Sequence, residues 1–199
     1  MRNHYSFTEL IDNVLSLVLT KLTLPQARLI RRPAYIRGKR SLSGCNGLTT
    51  GRFCRFDLNG IRQTLQIGDH CEMGDMTHIV AHEKVQIGNN VLIASKCFIS
   101  DTNHGNYKGD SPDGPESAPN QRSLTTGAVV IGNNVWIGEN AVILAGSSIC
   151  DGCIIGANSV VTGKTYSEPC ILAGAPARII KKWNPGTGTW EKVKETETK

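Results

Sequence analysis

His104 is the side chain in this sequence whose type and position best suit acid–base chemistry. It stands in Ser100-Asp-Thr-Asn-His-Gly105, at the start of a segment from 102 to 128 that is rich in Gly, Pro, Ser and Asn. Imidazole has a pKa of about 6.5, so near neutral pH it can take a proton from an attacking hydroxyl. A loop this long in a compact domain is usually functional. His104 is therefore a candidate general base, with a solvated loop histidine as the alternative, and the flanking Asp101 and Asn103 either orient the ring or cap the loop.

The elements that must position His104 are indicated by a six-residue repeat. Gly follows the repeat position six times, and a small or β-branched residue stands two places before it. A strict period of six fits neither a helix nor an ordinary strand; it predicts a parallel β-helix in which each repeat is one short strand and a turn. With three strands per turn the repeats make roughly four coils, and weaker repeats near residues 42–54 add about one more. The repeat positions, ten of them Ile, are Ile67, Met73, Ile79, Ile87, Ile93, Ile99, Ile131, Ile137, Ile143, Ile149, Ile155 and Val161.

The small inward position accounts for three of the seven cysteines. Cys71, Cys97 and Cys153 fall on it, which predicts core packing. Cys150-Asp-Gly-Cys153 is a lone CxxC, so no metal or redox site is predicted. Buried free thiols suit a reducing compartment, and the start of the chain shows no cleavable signal peptide. We therefore expect a cytoplasmic protein, at the inner face of the cell membrane if its N-terminal segment binds lipid.

The positive charge of the chain is confined to its start. Residues 1–40 hold eight Lys or Arg and two Asp or Glu, a net charge of +6, whereas the whole chain has a net charge of +5. A general nucleic-acid-binding surface is therefore not indicated. Residues 7–24 predict a helix, too short and too interrupted to span a bilayer. Two hypotheses remain open: residues 7–40 contact an anionic membrane, or the helix covers the open end of the β-helix or a subunit contact.

Three regions follow from these patterns. Residues 1–40 form an N-terminal helix and basic segment. Residues 41–182 form the all-β domain, with the segment 102–128 predicted to be a loop and not a strand pair. Residues 183–199 are expected to be a partly mobile C-terminal tail.

Four segments resemble the hexapeptide-repeat acetyltransferases, which wind as left-handed parallel β-helices. The resemblance is closest to the lipopolysaccharide O-antigen O-acetyltransferases and the maltose and galactoside acetyltransferases. It implies direct transfer of acetyl from acetyl-CoA to a hydroxyl of a surface-polysaccharide sugar, free or lipid-linked, by a homotrimer that requires no metal. The segments are Asp-Thr-Asn-His-Gly105, Ile131-Gly-Asn-Asn-Val-Trp-Ile-Gly138, Ile155-Gly-Ala-Asn-Ser-Val-Val-Thr162 and Ala173-Gly-Ala-Pro-Ala-Arg178.

The resemblance also implies roles for particular residues. The family's catalytic histidine corresponds to His104, and its acceptor pocket lies near Asp75 and His78, where relatives place an Asn close to Met76. The alternative role for Asp75 is that of a turn residue. Trp136 should face outward and be buried at a subunit interface or in the active-site groove. The positions implied for coenzyme A are Ala157, Thr162 and Gly163 along the pantetheine arm, with Lys164, Arg178 and Lys181 near the phosphates.

Three other functions were weighed against this one. An acetyltransferase for a free sugar, serine or an antibiotic is the nearest alternative. A γ-type carbonic anhydrase would need His78, His82 and His104 as zinc ligands, and their spacing does not match that family. A non-catalytic scaffold would need neither the long loop nor His104.

Overall fold

The computed structural model describes residues 5–193 of the chain. One helix, α1 (Phe7–Thr23), precedes a β-solenoid of about seven turns. The helix begins with a capping box, in which Ser6 accepts from the Glu9 N–H and the Glu9 carboxylate accepts from the Ser6 N–H. The strands are β1 (Leu29–Ile30), β2 (Tyr35–Arg37), β3 (Leu42–Gly44), β4 (Thr49–Thr50), β5 (Arg55–Leu58), β6 (Leu65–Ile67), β7 (Glu72–Met73), β8 (His78–Ala81), β9 (Val85–Ile87), β10 (Leu92–Ile93), β11 (Phe98–Ser100), β12 (Thr102–His104), β13 (Leu124–Thr126), β14 (Val129–Ile131), β15 (Trp136–Ile137), β16 (Val142–Ile143), β17 (Ser148–Ile149), β18 (Ile154–Ile155), β19 (Val160–Val161), β20 (Thr165–Tyr166), β21 (Cys170–Gly174), β22 (Ala177–Asn184) and β23 (Thr189–Lys192).

The strands form three parallel sheets that make the sides of a triangular prism. From the first coil to the last, sheet A has the order β1-β4-β7-β10-β15-β18-β21. Sheet B has the order β2-β5-β8-β11-β16-β19, and sheet C has the order β3-β6-β9-β14-β17-β20. The chain visits A, B and C in turn, so each coil contributes one strand to each side. The solenoid starts at Leu29 and not near residue 41, because Ile30 and Ile36, six residues apart, form a further coil in register with Thr50 and Phe56. This earlier start, together with strands β20 and β21 after Val161, explains why seven turns form where about five were predicted.

The repeat positions form the core, as the sequence predicted. All twelve are at most 4 % exposed, and they stack in register from coil to coil, as in Ile93, Ile137 and Ile155. The glycine that follows six of the repeat positions is explained by the neighbouring coil. A Cβ at Gly88 would lie 2.6 Å from the Gly132 carbonyl carbon, closer than atoms can approach.

The corners of the prism share one backbone conformation. The third residue after a repeat position has a positive φ: +55° at Asn90 and Asn134, and +59° at Met76 and Lys96. Asn and Gly tolerate this left-handed region, whereas other L-residues are strained there.

The cysteines predicted to fill the core do so. Cys71, Cys97 and Cys153 are at most 1 % exposed. Burial raises the pKa of the Cys71 and Cys97 thiols, and the Cys45 thiol to about 12. Burial and the neighbouring Cys153 raise the pKa of Cys150 to about 12 as well. These thiols stay protonated near neutral pH and are poor nucleophiles.

One expectation about the irregular segments was wrong, and the C-terminal tail contains strands that were not predicted. The base of the segment 102–128 is a strand pair, since β12 and β13 pair antiparallel with Asn103 opposite Thr125. The predicted tail is ordered through residue 193, because β22 pairs antiparallel with β21 and then with β23, and residues 194–199 lie outside the described range. Trp183 and Trp190 pack edge to face at 5.3 Å within this hairpin.

Replacing Lys96 by Asn should stabilise the protein. The left-handed conformation costs an ordinary L-residue roughly 1–2 kcal/mol, and Asn recovers part of that cost. We expect the Lys96→Asn variant to gain about 0.5–1 kcal/mol in free energy of unfolding, measured by chemical denaturation. Lys84→Asn, at a position with negative φ, is the control, and equal effects in both variants would contradict the strain at this corner.

Candidate active site

His104 lies at the end of β12, where the long loop leaves the corner between sheets B and C. Its side chain is exposed. The turn that follows is held by Tyr107, whose hydroxyl donates to the His104 carbonyl at 2.5 Å and accepts from Arg122 Nη1 at 2.7 Å. Gly105 makes this turn possible, because its φ is +97° and a Cβ there would lie 2.8 Å from the Tyr107 hydroxyl. The sequence analysis missed Tyr107 and Arg122, since nothing in their spacing links them to His104.

A cleft of about 530 Å³ opens between the loop and the corner of the prism; Asn103 and Gly105 line it, whereas His104 between them does not. That volume lies within the range of small-molecule sites, roughly 300–1,000 Å³. Its floor consists of residues with little or no side chain, which leaves the backbone accessible. The floor residues are Gly127, Ala145, Gly146 and Gly163, and the loop side is Asn103, Gly105, Asn106, Tyr107, Lys108, Thr125 and Thr126.

Asp101 has a structural role and does not orient His104. Its side chain is fully buried, and its carboxylate accepts from the backbone N–H groups of residues 82, 83 and 84 at 2.7–3.0 Å and from the Thr102 hydroxyl at 2.7 Å. Its carbonyl also accepts from the Gly127 N–H at 2.9 Å, which joins the two ends of the loop. Of the two roles expected for Asp101, orienting His104 or capping the loop, these contacts are those of a cap.

The other predicted residues do not gather at one place in a single chain. Thr162 and Lys164 flank Gly163 at the B–C corner, beside the cleft. Asp75 and Ala157 lie at the A–B corner instead. Asp75 acts there as a turn residue, with Oδ1 accepting from the Arg52 N–H at 2.7 Å.

Trp136 and the basic pair lie on sheet A. The Trp136 side chain points outward and is 49 % exposed, beside Leu92 at 47 % on the neighbouring strand. Arg178 and Lys181 are on β22, which extends this sheet beyond the last coil. One chain thus presents the predicted coenzyme residues on more than one side of the prism.

His78 belongs to a charged cluster on sheet B that the sequence analysis missed. Its Nε2 is 3.0 Å from Asp57 Oδ2, and Arg55 Nε donates to the same oxygen at 2.6 Å. Burial opposes ionisation of Asp57, but the bonds from Arg55 and His78 together hold its pKa below the usual range. The His78 ring packs against the Phe98 ring at a tilt of 56°, with centroids 5.3 Å apart, and Phe98 lies in the strand that leads to His104. Within residues 5–193, no three His, Cys, Asp or Glu side chains are grouped closely enough to hold a metal ion.

Comparison with known proteins identifies the family. Residues 128–163 match the model for bacterial transferase hexapeptide, six repeats. The chain is 41 % identical over 194 residues, 97 % of its length, to Escherichia coli WbbJ, named as a lipopolysaccharide biosynthesis O-acetyl transferase, of which 98 % is covered. The chain therefore belongs to the hexapeptide-repeat acetyltransferases, and it is an enzyme of the acyltransferase class.

Other relatives agree with this assignment. The galactoside O-acetyltransferase of E. coli is 38 % identical over 53 % of the chain and 48 % of its own length. The structure of a galactoside acetyltransferase in complex with coenzyme A has a TM-score of 0.58 at 28 % identity, covering 79 % of this chain and 76 % of that one. The N-acyltransferase AntD from Bacillus cereus has a TM-score of 0.65 at 22 % identity, covering 94 % and 93 %, which shows a shared fold.

Asp101 can be tested through the stability of the loop. Asp101→Asn puts an amide N–H₂ against buried N–H donors, so we expect the free energy of unfolding to fall by about 1–3 kcal/mol in urea. Asp110→Asn, in the exposed part of the loop, should change it little. Unchanged stability with a loss confined to turnover would instead mean that Asp101 serves His104.

Proposed function

We propose that the protein transfers acetyl from acetyl-CoA to a hydroxyl of a sugar in a bacterial surface polysaccharide, such as a lipopolysaccharide. The observation that carries the acceptor class is the end-to-end similarity to WbbJ, at 41 % identity over 97 % of the chain. The chemistry is supported by the exposed imidazole of His104, whose chain neighbours Asn103 and Gly105 line a cleft with a backbone floor. A free sugar is the second candidate, favoured by the 38 % identity to the galactoside enzyme over half the chain.

In the proposed reaction His104 is the general base. Its neutral imidazole takes the proton of the sugar hydroxyl while the oxygen attacks the thioester carbonyl. Backbone N–H groups of the cleft are available to stabilise the tetrahedral oxyanion. Collapse breaks the carbon–sulfur bond, and the imidazolium returns its proton to the departing thiolate. No acyl-enzyme is needed, and the described cysteines with raised pKa values are unsuited to form one.

Coenzyme A is proposed to lie along the B–C corner. The extended pantetheine arm needs backbone hydrogen bonds and little side-chain bulk, which Gly163 and the small floor residues supply. Thr162 and Lys164 adjoin this groove, and Arg178 and Lys181 are proposed to meet the phosphates from the last coil.

A complete site is proposed to need two copies of the chain in a homotrimer. Ala157 and Asp75 occupy the A–B corner, whereas His104 and Gly163 occupy the B–C corner. A rotation about an axis parallel to the prism brings one corner of each copy against a different corner of the next, which makes three equivalent sites. The half-exposed Trp136 on sheet A is then covered by the neighbouring copy or by substrate.

Removing the imidazole should abolish most turnover. We expect His104→Ala to lower kcat by about 10²–10⁴-fold, the usual contribution of a positioned general base. CoA release is measured with acetyl-CoA and either a lipid-linked glycan or a free galactoside, which also separates the two acceptor classes. His70→Asn, at a corner that favours Asn, is the control, and a His104→Ala enzyme with more than a tenth of normal activity would contradict the proposal.

Mixing two inactive variants tests the shared site. His104→Ala removes the base, and Ala157→Trp blocks the groove from the other corner. After unfolding and refolding a one-to-one mixture, random C3 assembly restores both intact residues at about a quarter of the sites. We expect CoA release near that fraction of wild type, while either variant alone stays inactive. Failure to recover activity in mixed trimers confirmed by mass would place both residues in one subunit's site.

A further inference from the structure

Helix α1 turns its polar side towards the protein and its apolar side away from it. The only buried residues in the helix are Ser16 at 3 % and Thr20 at 0 % exposure. At 100° per residue the exposed apolar residues occupy one continuous arc of about 200°. A surface helix of a globular domain normally shows the opposite arrangement. These residues, each 43–77 % exposed, are Phe7, Leu10, Ile11, Val14, Leu15, Leu17, Val18, Leu19 and Leu22.

The free edge of the first coil explains this orientation. Strand β1 pairs with β4 on one side and meets α1 on the other. The Thr20 hydroxyl accepts from the Ile30 N–H at 2.9 Å, and the Ser16 hydroxyl accepts from the Arg32 N–H at 3.1 Å. The hydroxyls thus satisfy backbone groups that would otherwise be buried without partners. Because the polar arc is held against the edge, the apolar arc points away from the solenoid at its N-terminal end.

Basic side chains surround this apolar arc. Lys21 of the helix and Arg28, Lys39 and Arg40 of the first coil are exposed. Of the two acidic residues in the helix, Asp12 pairs with Arg52 at 3.1 Å and Glu9 caps the helix N-terminus. Residues 5–40 hold seven Lys or Arg and two Asp or Glu, a net charge of +5 at the same end of the molecule as the apolar arc. Arg28 and Arg37 pair there with Glu72 and Asp57, and among the residues that the structure describes the other cations of this segment are not paired with acidic residues of the neighbouring coils.

We propose that α1 lies in the headgroup region of a membrane rich in anionic lipid. An apolar helical face inserts among the acyl chains near the surface, while the flanking cations meet the anionic headgroups. A second copy docked on this face would bring two positively charged ends together, which is unfavourable. Helix α1 has 17 residues, and no helix in the described part of the chain has the length and apolar character to cross a bilayer. The chain would therefore lie on the surface.

The proposed homotrimer strengthens this contact, and only this step rests on the proposed function. Copies related by rotation about an axis parallel to the prism have their first coils facing the same way. Three apolar arcs then meet one membrane plane, and three weak contacts act together.

The test is binding of the full-length protein to lipid vesicles without substrates. Vesicles of phosphatidylcholine alone are compared with equimolar phosphatidylcholine and phosphatidylglycerol by co-sedimentation, at low and high NaCl. We expect at least about tenfold tighter binding to the anionic vesicles, weakened by salt. The variant Leu15→Gln/Val18→Gln, in the middle of the arc, should bind at least about tenfold more weakly. Ile180→Gln, at a residue that is 46 % exposed but lies at the opposite end of the solenoid, is the control and should bind normally.

Three outcomes would overturn the proposal. One is absence of binding, another is equal binding to both vesicles, and the third is normal binding by Leu15→Gln/Val18→Gln. A fall in oligomer mass by light scattering for that variant, with vesicle binding intact, would assign the helix to a contact between copies. CoA release with a soluble acceptor should be unchanged in the variant, so loss of membrane binding and failure of the proposed reaction remain distinguishable.

Discussion

The narrow interior of the triangular prism is the constraint on which the rest of this structure depends. Each side of each coil admits one large aliphatic side chain and one small one, and those positions are at most 4 % exposed from Ile67 to Val161. The chain must also turn a corner about every six residues, and at nine of the twelve repeats the third residue after the repeat position has a positive φ. The glycine that follows six of the repeat positions completes the pattern, because the next coil lies against it. The six-residue period, the aliphatic core and the backbone conformation at the corners therefore all follow from one packing requirement.

A filled interior leaves chemistry to the places where a coil is interrupted. The long loop leaves and rejoins the prism at one corner, and Asp101 joins its ends through the Gly127 N–H and three N–H groups of the coil below. Because the two ends of the loop stay close to the positions they would have in an uninterrupted coil, the main free-energy cost of the insertion is the entropy lost in ordering the loop itself. The cleft then forms between the loop and small floor residues, and the chain neighbours of His104 line it. Because the cleft lies at one corner of the prism, the residues predicted for the same site that lie at another corner are not part of it in a single chain.

The sequence predicted the repeating part of the molecule well and the singular parts poorly. The isoleucine column, the small inward residues and the outward Trp136 follow from a periodicity that twelve repeats make unambiguous. The first coil was missed although Ile30 and Ile36 stand six residues apart, because Thr50 and Phe56 take the corresponding places in the next coil and interrupt the run of isoleucines. The Asp57–His78 pair and the Tyr107–Arg122 support join residues that are distant in sequence or lie within an irregular loop, and no spacing rule connects them. For Asp101 the sequence left two roles open, orienting His104 or capping the loop, since flanking a histidine does not fix the direction of a carboxylate.

Each end of the solenoid has a strand edge whose backbone N–H and C=O groups need partners, and the two ends supply those partners in different ways. At the C-terminal end the hairpin of β22 and β23 continues sheet A with backbone hydrogen bonds, so it needs no special side chains at the edge. At the N-terminal end a helix has no free backbone donors or acceptors along its side, so only side chains can satisfy the edge of β1. Ser16 and Thr20 do this. Because the polar arc of the helix is held against the protein, its apolar arc points away from the protein. Amphipathicity read from the sequence gives the two arcs but not which one faces inward, because that choice is made by the unpaired strand edge.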